Sequence, residues 1–140
     1  MKSYFFTALL GLSALSSCKA TTNTSQTGDP VITLKMGEEK VLPNSKLKIK
    51  FVAVPEDSRC PINVRCVWIG NARVQLKVNN KTVNLDTQDM PERKYARIQS
   101  VDGYQYSLEN LQPNKTTSNE IQPGEYVIQL RVEKISDHKK

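Results

Sequence analysis

The fold is decided by residues 66–78, which read Cys66-Val67-Trp68-Ile69-Gly70-Asn71-Ala72-Arg73-Val74-Gln75-Leu76-Lys77-Val78. The even-numbered side chains of this stretch are apolar or small, whereas the odd-numbered side chains from Asn71 onward are polar. Alternation at every second residue is the period of a β-strand with one buried face, and a helix would repeat every 3.6 residues. We therefore expect a strand over residues 66–78 whose even positions, Trp68 among them, face the core.

The rest of the chain from Val31 onward repeats this pattern. Residues 47–53 and 126–132 alternate in the same way, with apolar side chains at every second position. Turn-forming pairs separate such stretches: Gly37-Glu38, Asn79-Asn80, Asp102-Gly103 and Pro123-Gly124. Seven or eight strands with short connections and no convincing helix predict an all-β, antiparallel, immunoglobulin-like β-sandwich over residues 31–135. A small β-barrel is the alternative layout, and residues 87–95 and 112–122 are the expected long loops.

The first 18 residues have the pattern of an export signal. A basic start at Lys2 precedes an apolar run over residues 5–15, which is too short to span a bilayer. The run ends in Leu15-Ser16-Ser17-Cys18, which resembles the bacterial lipobox. That resemblance implies that residues 1–17 are cleaved and that Cys18 becomes a lipid-modified first residue carrying acyl chains such as palmitate. An ordinary secretory signal with an unrelated Cys at its end is the alternative.

Residues 18–30 are predicted to be a lipidated, flexible tether, because they are polar and lack large apolar side chains. Twelve residues of such a chain reach roughly 20 Å on average. The residue after Cys18 is Lys19 and not Asp. By resemblance to the proteobacterial sorting rule, this favours a periplasm-facing lipoprotein held in the outer membrane through its lipid anchor.

Cys60 and Cys66 remain once Cys18 carries lipid. Two cysteines left over in an oxidising exported protein usually pair, so we expect one Cys60–Cys66 disulfide. A redox-active pair is disfavoured because the spacing is not Cys-x-x-Cys. A metal site is disfavoured because the only histidine, His138, lies in the charged tail of residues 136–140. We expect no cofactor and no metal.

Two segments around these cysteines form the most distinctive motif, Asp57-Ser58-Arg59-Cys60-Pro61 and Arg65-Cys66-Val67-Trp68-Ile69-Gly70. The pair resembles a motif of small, largely uncharacterised exported bacterial proteins, Asp-Ser-Arg-Cys-Pro followed by Cys-Val-Trp-x-Gly. Downstream residues match as well, so that the resemblance covers about residues 31–135: Gly103-Tyr104, Leu108, Leu111 and Pro113. It implies a lipoprotein or periplasmic domain, and no activity comes with it.

Two interpretations of the motif follow from the residues. In the first, it is a stiff corner in which Trp68 packs in the core against the disulfide. In the second, Arg59, Arg65 and Trp68 form a binding patch, because Trp and Arg are favoured anchors at interfaces. Asp57 is expected to cap a turn or to pair with an arginine.

Composition excludes some functions. The formal net charge is +6, or +5 once Lys2 leaves with residues 1–17, and the basic residues are scattered. Nucleic acid is therefore not an expected partner. No base accompanies a nucleophile, and the strand patterns place no obvious acidic pair on one face, so we expect no enzyme. Glu56 and Asp57 are the acids that this pattern leaves open. The expected function is a monomeric, non-catalytic binding module whose candidate partner is another envelope protein. A protease inhibitor presenting the Cys60–Cys66 loop and a structural envelope component are the alternatives.

Overall fold

The structure, a computed structural model, describes residues 31–43 and 45–136. The predicted signal over residues 1–17, Cys18 and the tether up to residue 30 lie outside these ranges. Residues 137–140 of the predicted tail, with His138, lie outside them as well.

The described chain folds into two antiparallel sheets of four strands each, which confirms the predicted β-sandwich. One short 3-10 helix, Pro123–Glu125, precedes the last strand. The strands in chain order are β1 (Val31–Lys35), β2 (Glu39–Val41), β3 (Lys48–Asp57), β4 (Ala72–Val78), β5 (Lys81–Asp86), β6 (Ile98–Val101), β7 (Tyr104–Gln112) and β8 (Val127–Lys134).

The strand order is β1-β8-β7-β6 in the first sheet and β2-β3-β4-β5 in the second. Neighbouring strands are consecutive in sequence except for β1 and β8, so each sheet is built mainly as a meander. The chain passes between the sheets at Gly37, whose φ of 87° is a left-handed conformation that favours glycine. The two sheets are separate, and the alternative of one closed barrel is not adopted.

A single apolar core lies between the sheets. The alternation read from the sequence is confirmed in β4 and β8, where every second side chain is buried, and in the first half of β3, where Ile49 and Phe51 are buried. The largest fully buried apolar side chains come from both sheets: Leu34, Tyr106, Ile128 and Leu130 from the first, and Ile49, Phe51, Leu76 and Leu85 from the second.

The two predicted hairpin turns are also confirmed. Asn79 has a φ of 51° in the turn between β4 and β5. Asp102 and Gly103 have φ values of 54° and 77° between β6 and β7. Positive φ at both central residues, as in Asp102-Gly103, is the type I′ geometry, whose twist matches that of the flanking strands. These local pairs therefore fix the register of the hairpins.

One predicted strand is wrong in its first half. β4 begins at Ala72 and not at Cys66, and residues 58–71 form a long loop between β3 and β4. Trp68 is consequently not a core residue, since 58% of its surface is exposed. The apolar alternation over residues 66–70 does not indicate a strand here, because the chain at Gly70 packs against residues 58–60 instead of against a neighbouring strand.

Candidate functional site

The candidate site is the loop of residues 58–71, which we call the braced loop. Its two ends are joined by three hydrogen bonds between Ser58 and Asn71. The Ser58 amide and hydroxyl donate to the Asn71 carbonyl oxygen at 2.7 and 2.9 Å. The Asn71 amide donates to Ser58 Oγ at 3.3 Å. The loop is therefore closed at its base independently of its disulfide.

The predicted disulfide between Cys60 and Cys66 is present, with 5.9 Å between the two Cα atoms. On the disputed chain-entropy model, closing so short a ring stabilises the fold by roughly 2 kcal/mol. The larger consequence is local, because the bridge limits the conformations of the ring residues between the cysteines.

Gly70 provides the closest backbone contact in the loop. A Cβ atom placed there would lie 2.5 Å from the Cys60 nitrogen and 2.6 Å from both Arg59 Cα and the Ser58 oxygen. Only glycine permits this approach of two backbone segments. This close approach occurs in a loop and not in a strand.

Arg59 lies inside the base of the loop and not on a binding surface. Its Nε and Nη2 atoms donate to Asp57 Oδ1 and Oδ2 at 2.9 and 2.8 Å. Its Nη1 and Nη2 atoms donate to the carbonyl oxygens of Leu111 and Pro113 at 2.8 and 3.0 Å. The Arg59 side chain is only 14% exposed. The predicted patch of Arg59, Arg65 and Trp68 therefore loses Arg59, because its guanidinium is used to join the loop to the end of β7.

Asp57 has both of the roles expected from the sequence. Besides its ion pair, its Oδ1 accepts the Arg59 backbone amide at 3.2 Å, which caps the turn into the loop. Tyr126, in front of β8, donates its hydroxyl to Asp57 Oδ2 at 2.9 Å. Burial opposes ionisation, but the hydrogen bonds and charge of Arg59 outweigh it and hold the pKa of Asp57 below its usual value. Burial and the bond to Asp57 raise the pKa of Tyr126 to about 12.

The connection between β7 and the 3-10 helix supports the other side of the loop. The Ile62 amide donates to the Lys115 carbonyl oxygen at 2.9 Å. Asn63 exchanges two hydrogen bonds with Thr117, at 2.6 and 3.1 Å. Because the braced loop is held at its base, across its ring and along one side, we expect it to keep one shape.

The outward surface of this stiff loop is apolar. Five large apolar side chains within eight residues are exposed, by 68% for Ile62, 47% for Val64, 100% for Val67, 58% for Trp68 and 72% for Ile69. Single exposed apolar side chains are ordinary, whereas a concentration of them marks a surface that meets another molecule. Of these five residues, only Trp68 was a binding candidate from the sequence. Val67 and Ile69 were not, because residues 66–70 were expected to lie in a strand.

Arg65 and Trp68 are the two candidate binding residues that remain at the surface. Arg65 is exposed and makes no ion pair with any residue in the described ranges. The Trp68 indole N–H donates to the Ser58 carbonyl oxygen at 3.3 Å. That bond fixes the ring and satisfies its only donor, so Trp68 presents apolar surface to the outside.

Asn71 is a further positioning residue, which the sequence analysis did not identify. It is fully buried, and its Oδ1 accepts hydrogen bonds from the Thr87 hydroxyl and the Gln88 amide, both at 3.1 Å. It thereby connects the base of the braced loop to the chain leaving β5. Nothing in the local sequence distinguishes Asn71 from a polar residue on the solvent-exposed face of a strand.

The acidic side chains near the loop are occupied by arginines. Glu56 accepts a hydrogen bond from Arg93 at 2.8 Å and lies 3.5 Å from Arg73. Asp86 is fully buried and pairs with Arg73 at 3.0 Å. Arg73 also lies over the Tyr95 ring, 4.7 Å from its centre. This cluster is an ion-pair network that attaches the segment after β5 to the second sheet.

The described ranges contain no group of three or more residues that could ligate a metal ion. They also contain no helix that is both long and apolar enough to cross a membrane. No protein-family model, curated protein or solved structure matches the chain.

Proposed function

We propose that this protein is a lipoprotein of the bacterial outer membrane, anchored at Cys18 and facing the periplasm. Its β-sandwich serves as a non-catalytic binding module on a flexible tether. The observation that carries the binding role is the exposed apolar surface of the braced loop. A loop already held in one conformation loses little entropy on binding, which favours affinity.

The polar tether of residues 18–30 also favours a binding role for the domain. A domain held by a polar linker of about twelve residues samples a restricted volume, and its effective concentration toward neighbouring envelope components is therefore high. Weak recognition by a small loop is sufficient under these conditions. The lipobox resemblance and the acid-free sequence after Cys18 support the anchoring part of the proposal.

Replacement of Cys18 by alanine tests the anchor. We expect Cys18→Ala to abolish labelling of the protein by radioactive palmitate and to leave a soluble or uncleaved form, because no other residue accepts the diacylglyceryl group. The matched control is the double variant Cys60→Ser and Cys66→Ser, in which labelling is retained. Labelling that persists in Cys18→Ala would overturn the lipoprotein assignment.

A protease inhibitor is the second candidate, and the exposure of Arg65 inside the disulfide ring favours it. An inhibitor of this kind presents a rigid arginine to a protease that cleaves after basic residues. On this proposal, the purified domain inhibits trypsin, Arg65→Ala removes the inhibition and Arg65→Lys retains it. Cleavage after Arg65 without inhibition, or no effect on trypsin at all, would contradict it.

A further inference from the structure

The tip of the braced loop offers unpaired backbone groups next to its apolar side chains. Within the described ranges, the amide and carbonyl groups of residues 65–70 make no hydrogen bond to the protein. These residues belong to no strand. Val67, Trp68 and Ile69 are the exposed residues at the centre of this segment, so the tip combines unpaired donors and acceptors with apolar side chains.

Unpaired backbone groups beside apolar side chains make a protein a better binding partner for the loop than a lipid bilayer. Hydrocarbon supplies no hydrogen-bonding partners, so a loop with unpaired backbone cannot enter it without a large penalty. A protein cleft supplies backbone groups of its own, and pairing of an extended segment with an exposed strand edge is a common mode of recognition. The unpaired backbone at residues 65–70 thus favours a protein.

The start of the described chain and the braced loop lie toward opposite ends of β1. β1 runs from Val31 to Lys35, whose partner in β8 is Val127, next to Tyr126. Tyr126 bonds to Asp57, where the braced loop begins. Val31 pairs with Arg131, four residues further along β8 and hence about 13 Å away. The described chain therefore begins at the end of β1 that lies away from the braced loop.

The charge of the braced loop indicates which kind of protein surface can bind it. Residues 58–71 contain two arginines and no acid. Arg59 is neutralised by Asp57, which leaves Arg65 as the single charge without an ion pair in the braced loop. A cleft with an acidic rim complements this surface. A second copy of this chain complements this surface poorly, because the mature chain is itself positively charged.

We propose that the tip of the braced loop docks into an apolar cleft of a different envelope protein, one with an acidic rim and unpaired backbone groups. Val67, Trp68 and Ile69 enter the cleft, and Arg65 meets the rim. This inference rests on the proposed function and deepens it by naming the surface and the class of partner.

Photo-crosslinking in the native cells tests the inference with the full chain. A benzoylphenylalanine residue replaces Val67, which is fully exposed, and in matched controls it replaces Val41 or Ile98, which are half-exposed on β2 and β6. We expect a discrete protein adduct from position 67 and none from the controls. Adding Ile69→Asp to the same chain is expected to reduce the adduct about tenfold, as loss of an interface anchor does.

The adduct supports the inference only if the crosslinked protein, once identified and purified, also binds the mature domain in solution. That binding must weaken at least about tenfold with Trp68→Ala. Thermal unfolding of the Ile69→Asp variant provides the folding control, since Ile69 is 72% exposed and its loss is expected to leave stability unchanged.

The other outcomes separate the two proposals. A protein adduct at position 41 or 98 alone would overturn the assignment of the loop but leave the binding function standing. A lipid adduct at position 67, with Trp68-dependent binding to vesicles of phosphatidylethanolamine and phosphatidylglycerol, would assign the loop to the bilayer and overturn the inference. An adduct between two copies would replace it with self-association. No protein adduct at any position would overturn both the inference and the proposed binding role, whereas the lipid anchor is tested separately by Cys18→Ala.

Discussion

Replacing Asp57 with asparagine is expected to lower the free energy of unfolding by about 3 kcal/mol, since removing one member of a buried ion pair typically has an effect of this size. The pair qualifies as buried because the side chains of Asp57 and Arg59 are only 9% and 14% exposed. The variant leaves the Arg59 guanidinium with two carbonyl acceptors and no counter-charge. It also weakens the bond from Tyr126 to the former carboxylate. Urea unfolding monitored by circular dichroism measures the change.

The matched control is Asp102→Asn. Asp102 pairs with Lys81, but both side chains are substantially exposed, and exposed pairs contribute little. Asparagine also tolerates the positive φ of 54° that Asp102 adopts. We expect this control to differ from the parent protein by less than about 1 kcal/mol. Equal effects of the two substitutions would show that the Asp57–Arg59 pair does not stabilise the fold.

The same ion pair predicts how stability depends on pH. The pKa of Asp57 is lower in the folded protein than its ordinary value of 3.8. The Asp57 carboxylate therefore contributes fully to the free energy of unfolding above its unfolded pKa. This contribution is lost as the pH falls through the lower folded pKa. We expect the difference between the parent and Asp57→Asn to be constant from about pH 5 to pH 7 and to shrink below about pH 4. A difference that grew on acidification would contradict the assignment.

Replacing Gly70 with alanine is expected to destabilise the domain by about 2–3 kcal/mol, the upper range for forcing an extra methyl group into a packed site. The added Cβ would lie between 2.5 and 2.6 Å from three backbone atoms of residues 58–60. Backbone atoms cannot rotate away as a side chain can. The base of the loop must therefore shift, which strains the bonds between Ser58 and Asn71. For a domain of this size, the melting temperature should fall by roughly 10 °C.

Gly124→Ala is the control for Gly70→Ala. A Cβ at Gly124 would meet nothing within 4 Å, and its φ lies outside the positive range that disfavours other residues. We expect this substitution to leave the melting temperature unchanged within about 2 °C, as exposed substitutions usually do. If Gly70→Ala were equally silent, the two segments would not be in contact and the braced loop would be open at its base.

Most of the scaffold could be predicted from the sequence because its signals are local. A period of two identifies the buried faces of β3, β4 and β8 from side chains that follow one another in the chain. The pair Asp102-Gly103 specifies its hairpin because only certain residues accept a positive φ. The disulfide followed from the number of cysteines and the predicted compartment. Each of these inferences needs only neighbouring residues or a count.

The candidate site could be predicted only in part, because its geometry depends on contacts between distant segments. The Arg59 guanidinium donates to carbonyl oxygens 52 and 54 residues further along the chain. No local pattern indicates that such an arginine points inward. Trp68 shares its parity with the core side chains of β4, yet Gly70 packs against residues 58–60 and ends the pairing before Trp68 is reached.

The sequence by itself thus determined which faces of β3, β4 and β8 are buried, where two hairpins turn and which cysteines pair. Only the tertiary structure decided that β1 pairs with β8, that Arg59 is internal and that residues 62–69 carry the exposed apolar surface. The physical reason is that a strand's alternation records the side of the chain that avoids water. The packing of the whole domain decides which other segment covers that side, and whether any segment covers it.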